Sequence, residues 1–156
     1  MKTDRFKQQI LDTLKAAGWH ERRCCNSFAL KSKEQLKASG FAVYDAALDV
    51  LKEFGELIIG ESGPGQFAAR TQISIEPQRA LKFYTEDFLE YELILKTLLC
   101  PIGVASDDTA LGIDSEGRVY LLGNWIWLLG ESFDEALETC IIGKLGRELN
   151  MDGTYV

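Results

Sequence analysis

Apolar residues recur along this chain with two different periods, and the change of period divides it. Near the N-terminus Phe6, Ile10, Leu11 and Leu14 fall at helical spacing. Thr3 stands where a cap would open that helix. Gly18 suits the left-handed residue that would close it, with Trp19 as the hydrophobic contact of a Schellman ending. In "HERRCCNSFALKSKEQLKASG" the spacing Ser32…Gln35 forms a weak capping box, which predicts a short helix to Ala38 ended by Gly40. "FAVYDAALDVLKEFG" is clearer: Val43, Ala46, Ala47, Val50, Leu51 and Phe54 make one stripe, and Gly55 ends it.

The period then shortens. "ELIIG" and "QFAARTQISIEP" predict two strands around the turn "ESGPGQ", with Gln72, Ser74 and Glu76 on a wet face. Pro77 opens a helical stretch at its favoured first position. Leu81, Tyr84, Phe88, Tyr91, Leu95 and Leu98 carry its stripe, and Thr85 is a possible second start. "PIGVA", "TALGID", "RVYLLG" and "WIWLLG" then read as four strands with turn chemistry between them. "SFDEALETCIIG" closes with a helix capped by Ser132 and its partner Glu135. Consecutive strands on short turns predict a mostly antiparallel sheet of about six strands with flanking helices. The fold class is therefore α+β, with one domain over 1–146 and a fraying tail over 147–156.

Composition changes this picture little. The 156 residues suit a single domain, and 46% hydrophobic content builds a core without disulfides or metals. No stretch is apolar and long enough to span a bilayer, and no signal-peptide core follows the N-terminus, so a cytoplasmic protein is expected. Cys24, Cys25, Cys100 and Cys140 include no C-x-x-C pair, which fits free thiols in a reducing compartment. Cys140 falls on the core side of the last helix. The net charge of −7 argues against nucleic acid as a partner and is compatible with a basic protein.

Chemistry finds few candidates. A thiol hydrolase would pair Cys100 with His20, the one histidine, but nothing in the sequence links them. "HERRCC" offers His20, Cys24 and Cys25 to a metal, yet its arginines repel a cation. "DDTALGIDSEG" lacks the ligand spacing of a calcium loop. "GESGPGQ" has glycines but no Lys-Ser/Thr, so a hairpin turn accounts for it without a phosphate. In "GIDSEGRVY" the turn is sufficient: Asp114 can accept from the backbone ahead and Gly117 can take positive φ. No catalytic group, metal or cofactor is therefore expected.

Several stretches together resemble one family. "AGW" at 17–19 precedes Arg22 and Arg23, "SGF" at 39–41 leads into "ALDVLKEFGEL" at 47–57, and "ISIEPQRA" occupies 73–80. "LCPIG" at 99–103 and "LGIDSEGRVYLLG" at 111–123 are the most specific pieces, and "LGESFDEALETCIIG" at 129–143 closes the series. In this order they resemble the SUKH superfamily of immunity proteins, with the Smi/Knr-like fold, and within it the third SUKH group. The resemblance implies a bacterial immunity protein that binds and neutralises a polymorphic toxin, often a nuclease or deaminase, without catalysis. It equally admits a scaffold or regulatory module with no toxin partner, and it carries over no catalytic residues.

A contact surface for such a partner is sought among aromatic and acidic positions. Alternation puts Trp125, Trp127 and Leu129 on one face of their strand, and tryptophan is favoured at interface hot spots. Asp107, Asp108 and Glu131 flank the same strands and would supply acidic contacts to a basic toxin. The competing reading buries a tryptophan between layers and leaves the acids as solvated turn residues.

Overall fold

A computed structural model describes residues 5–106 and 109–156, and only the backbone of 82–86. Among the described residues, helices α1 (Gln8–Ala17), α2 (Asn26–Ala38) and α3 (Asp45–Phe54) come first. Strands β1 (Ile58–Ile59) and β2 (Ile73–Ser74), helix α4 (Pro77–Leu95) and strands β3 (Cys100–Ala105), β4 (Ala110–Ile113), β5 (Val119–Leu122) and β6 (Ile126–Gly130) follow. Helix α5 (Phe133–Glu138) runs on into a π-helical turn over Thr139–Gly143, and β7 (Arg147–Leu149) ends the series. The seven strands form one antiparallel sheet in sequence order. This is the α+β architecture expected, with one strand more. That strand lies in the stretch read as tail. Its Arg-Glu-Leu carries no apolar alternation, and it joins the sheet by backbone pairing to β6.

The helix ends show how local sequence sets each boundary. α1 closes as a Schellman motif: Gly18 has φ 106°, and Trp19 N–H donates to Leu14 O at 2.9 Å. The helix begins at Gln8 with Lys7 at its cap position, and Thr3 lies outside the described residues. α2 starts at Asn26, six residues before Ser32, which corrects the capping-box reading. Ser32 is buried mid-helix, in line with Ala29 and Leu36 on the core side. α3 does end at Gly55, but not through a left-handed glycine. Gly55 has φ −54°, and a Cβ there would meet the Phe28 ring at 2.4 Å. Glu56, at φ 68°, makes the left-handed turn instead. Pro77 occupies the first turn of α4, which continues unbroken through Thr85.

β1 and β2 are shorter than the alternation predicts. Gln66, Phe67 and Ala68 turn their amides to the carbonyls of Ile142 and Gly143, which leaves only Ile73 and Ser74 to pair with β1. Gly63 and Arg70 exchange backbone hydrogen bonds and close the "ESGPGQ" loop. Ser74 is buried rather than wet, and Arg79 Nη1 donates to its hydroxyl at 3.3 Å.

Every residue of β3 and β4 is buried, so both faces of the sheet centre are covered. α4 lies on β3 and β4, α3 also touches β3, α5 packs on β6 and α1 on β1. Phe88 of α4 reaches Gly112, where a Cβ would come within 3.3 Å of its ring. One continuous apolar core results, with Phe54, Phe88, Leu51, Ile102 and Leu111 among its fully buried side chains.

Candidate partner-binding surface

In an antiparallel meander the odd-to-even turns share one end of the sheet. Ser62, between β1 and β2, donates through its hydroxyl to Ser106 Oγ, just past β3, at 2.8 Å. Thr109, just before β4, crowds Gly123 after β5: a Cβ on Gly123 would lie 3.0 Å from Thr109 Cγ2. The Tyr91 hydroxyl of α4 donates to Gly123 O at 2.9 Å and ties the helix to the β5–β6 turn. Trp125 stands at this end, 66% exposed. Asp107 and Asp108 lie outside the described residues.

Along β6 the expected alternation is present. Ile126 and Leu128 are buried, while Trp127 and Leu129 are half-buried. Pairing places Trp127 in one row with Leu121 and Glu148. Neither Trp125 nor Trp127 is a core residue. The buried tryptophan is Trp19, whose indole N–H donates to Glu53 Oε2 at 2.9 Å.

Glu131 is exposed at the opposite end of β6. Its N–H donates to Glu135 Oε2 at 2.6 Å, while Ser132 Oγ accepts from Glu135 N–H at 3.2 Å, so the α5 cap positions it. It borders a cleft of about 260 Å³ that also presents Asp49, Glu53, Glu116 and Asp134. Arg5 spans two of these acids. Its Nε and Nη2 donate to Asp134 at 2.8 and 2.9 Å, and Nη1 and Nη2 to Glu53 at 2.8 and 3.1 Å. Those bonds, to Asp134 first and then Glu53, hold the guanidinium above its usual value.

The other candidates separate. Cys100 is fully buried at the start of β3, and its Sγ contacts Pro101 O at 3.7 Å. Burial pushes its thiol up to about 12, away from the thiolate that a nucleophile needs. His20 is exposed beyond α1. Cys140 is buried as well, and burial pushes it up to about 12. Cys24 and Cys25 are free thiols outside the core.

The "DSEG" turn behaves as its sequence requires. Asp114 Oδ1 accepts from the amides of Glu116 and Arg118, both at 3.0 Å, and Gly117 takes φ 89°. Sequence reasoning missed that Asp114 is completely buried and that Oδ2 also accepts from Arg118 Nε and the Tyr120 hydroxyl. The signal was present: in "DSEGRVY" the arginine and tyrosine follow the aspartate by four and six residues, across a hairpin turn.

The SUKH-3 immunity protein family matches residues 6–143. The chain belongs to that family. Neither the curated proteins nor the solved structures gave a match. The family region starts at Phe6, which stacks edge-on against Trp19 at 5.7 Å, and ends at Gly143, where the π-helical turn closes. It leaves out β7, so the edge strand of this SUKH-3 protein is formed beyond the matched region. The stretches that resemble the SUKH group fall on structural positions: the α1 ending, the Pro77 helix start, the β4–β5 hairpin and the capped α5. Among the described residues no helix is long and apolar enough to cross a membrane.

Proposed function

We propose that this chain is the immunity partner of a bacterial polymorphic toxin, such as a nuclease or deaminase. It neutralises the toxin by binding it, without catalysing a reaction itself, and acts in the cytoplasm. Membership of the SUKH-3 immunity protein family is the observation that carries this reading. The net charge of −7 supports it, since a basic enzyme that handles nucleic acid is drawn to an acidic inhibitor. The burial of Cys100 weighs against the thiol hydrolase.

In this reading the toxin lies along the outward side of β6. Trp125 is the aromatic anchor at one end, and Asp107 and Asp108 remain candidate acidic contacts. Trp127 lies in the middle and Glu131, with its acidic cleft, at the other end. The span from Trp125 to Glu131 is about 20 Å at ~3.3 Å per residue. A standard interface of about 800 Å² per partner is wide enough to cover it.

The test is co-expression with the toxin encoded beside this chain. Growth should be rescued, and the two proteins should co-purify as a stable complex. Trp125→Ala should weaken the complex about tenfold or more, ~1.4 kcal/mol. A toxin that neither binds the chain nor is silenced by it removes the reading.

A further inference from the structure

Two unusual features meet in one cleft. Helix α5 runs on into the π-helical turn Thr139–Gly143, and such turns are frequent at functional sites. Beside it stands Arg70, whose Nε is buried with no hydrogen-bond partner. Among the described residues its guanidinium forms no ion pair either, in a chain where acidic partners are plentiful. A buried donor of this kind is uncommon in a folded protein and marks a place where a further group completes the bonding.

The arginine is held in position. Gly63 and Arg70 exchange backbone hydrogen bonds, and the amides of Gln66, Phe67, Ala68 and Thr71 all donate to carbonyls of the π-helical turn. Two glycines give the side chain its path. A Cβ on Gly143 would lie 3.3 Å from Arg70 Cγ, and one on Gly63 would lie 2.9 Å from Nη2. A cation fixed this firmly loses little freedom on binding.

Arg70 lines a cleft of about 440 Å³, a size that suits a small molecule. Asp12 and Thr13 of α1 form one wall, and Ile58, Glu61 and Ile141 contribute the others. Arg70 is half-buried, whereas Asp12 and Glu61 are exposed. Gln8 Nε2 donates to Asp12 Oδ1 at 2.7 Å, and neither acid pairs with Arg70. The cleft is therefore bipolar, with a cation inside and carboxylates at its mouth. A simple anion would meet the two carboxylates there, and a simple cation would meet the guanidinium. A molecule that carries both charges suits all three groups. Its carboxylate takes the guanidinium fork, and its ammonium faces the acids.

We propose that this cleft binds a free zwitterion of the amino-acid class, with its carboxylate on Arg70 and its ammonium toward Asp12 and Glu61. None of its residues belongs to the strip from Trp125 to Glu131. The proposal therefore stands or falls apart from the toxin reading.

Calorimetry and thermal melts of the purified full chain with the standard amino acids, to about 10 mM, test it. At least one should bind and raise the melt. The same molecule without its amine, or without its carboxylate, should bind about tenfold or more weaker. Arg70→Gln should remove the binding. Asp12→Asn with Glu61→Gln should weaken the amino acid and strengthen its amine-free analogue, a reversal that loss of folding could not produce. No binding by any amino acid overturns the proposal, as does binding that Arg70→Gln leaves intact or that the amine-free analogue matches. A toxin affinity that falls on Arg70→Gln, with no amino acid bound, overturns it too and gives the cleft to the toxin.

Discussion

Replacing Asp114 by alanine is expected to destabilise the fold by about 3–5 kcal/mol. The carboxylate is 0% exposed and accepts four hydrogen bonds, from the amides of Glu116 and Arg118, from Arg118 Nε and from the Tyr120 hydroxyl. The four do not weigh equally. Glu116 is exposed, so water can take over its amide. The Arg118 guanidinium keeps Glu116 at 2.7 Å. The Tyr120 hydroxyl has no such recourse, because the residue is 5% exposed and burial, then the Asp114 charge, holds its phenol above the usual value. Leaving that hydroxyl unpaired costs about 1–3 kcal/mol, and the Arg118 amide and the lost charge-assisted bond supply the remainder. A domain of this size is stable by about 5–15 kcal/mol, so the variant should fold but melt roughly 8–15 °C lower. Urea unfolding should show a lower midpoint at an unchanged m-value. Tyr120→Phe should cost about 1 kcal/mol in the native background and less beside Asp114→Ala, which a double-mutant cycle reads directly. A loss below about 1 kcal/mol for Asp114→Ala would show that the turn is held by its backbone alone, and would refute the reasoning.

Three further outcomes are expected. Native protein treated with a maleimide should label at Cys24 and Cys25 and only slowly at Cys100 and Cys140, whose buried thiols are each pushed up to about 12; rapid labelling of Cys100 would revive a nucleophilic role. Lys96→Gly should stabilise the fold by about 1 kcal/mol, because a side chain at φ 57° is strained where glycine is not, and an unchanged melt would contradict this. Lys7 at 2.6 Å and Lys144 at 2.9 Å hold the Glu138 carboxyl below the usual carboxylate range. A lowered folded value adds stability above the unfolded value of about 4.3 that is lost as pH falls through the folded one. Glu138→Gln should therefore cost under about 1 kcal/mol at pH 7 and nothing at the acid end of a urea series; a difference constant with pH would rule the ion pairs out as its source.

The parts of the fold legible in the sequence were those written in one local code. β3 to β6 alternate or run apolar between turn residues, and the structure pairs them in that order. Ser132 and Glu135 announced α5, and Gly18 with Trp19 announced the end of α1. Misreadings arose where a tertiary contact overrode the code. Ser32 looks like a cap but is buried inside α2. "QFAAR" looks like strand, yet its amides turn to the π-helical turn. β7 has no periodicity to read. The candidate surface was partly legible: alternation placed Trp127 and Leu129 outward and Ile126 and Leu128 inward. On α4 the stripe put Phe88, Tyr91 and Leu95 on the core and left Leu89 and Leu93 outside it, as found, but Leu98, counted in the stripe, lies past the helix end and is 55% exposed.

The order of the sheet also bears on how long the protein survives. Each strand hydrogen-bonds only to strands next to it in the sequence, and β3 to β6, joined by short turns, can grow by successive hairpins, which individually close within about 1–10 µs, while α4 and α5 intervene before β3 and β7. The Arg5 clasp is of another kind. It joins residues 129 apart and needs α3 and α5 already in place. Contacts made that late leave the speed of folding almost untouched and instead slow the reverse step. Arg5→Ala is therefore expected to shorten the half-life of the native state while leaving the folding rate nearly unchanged.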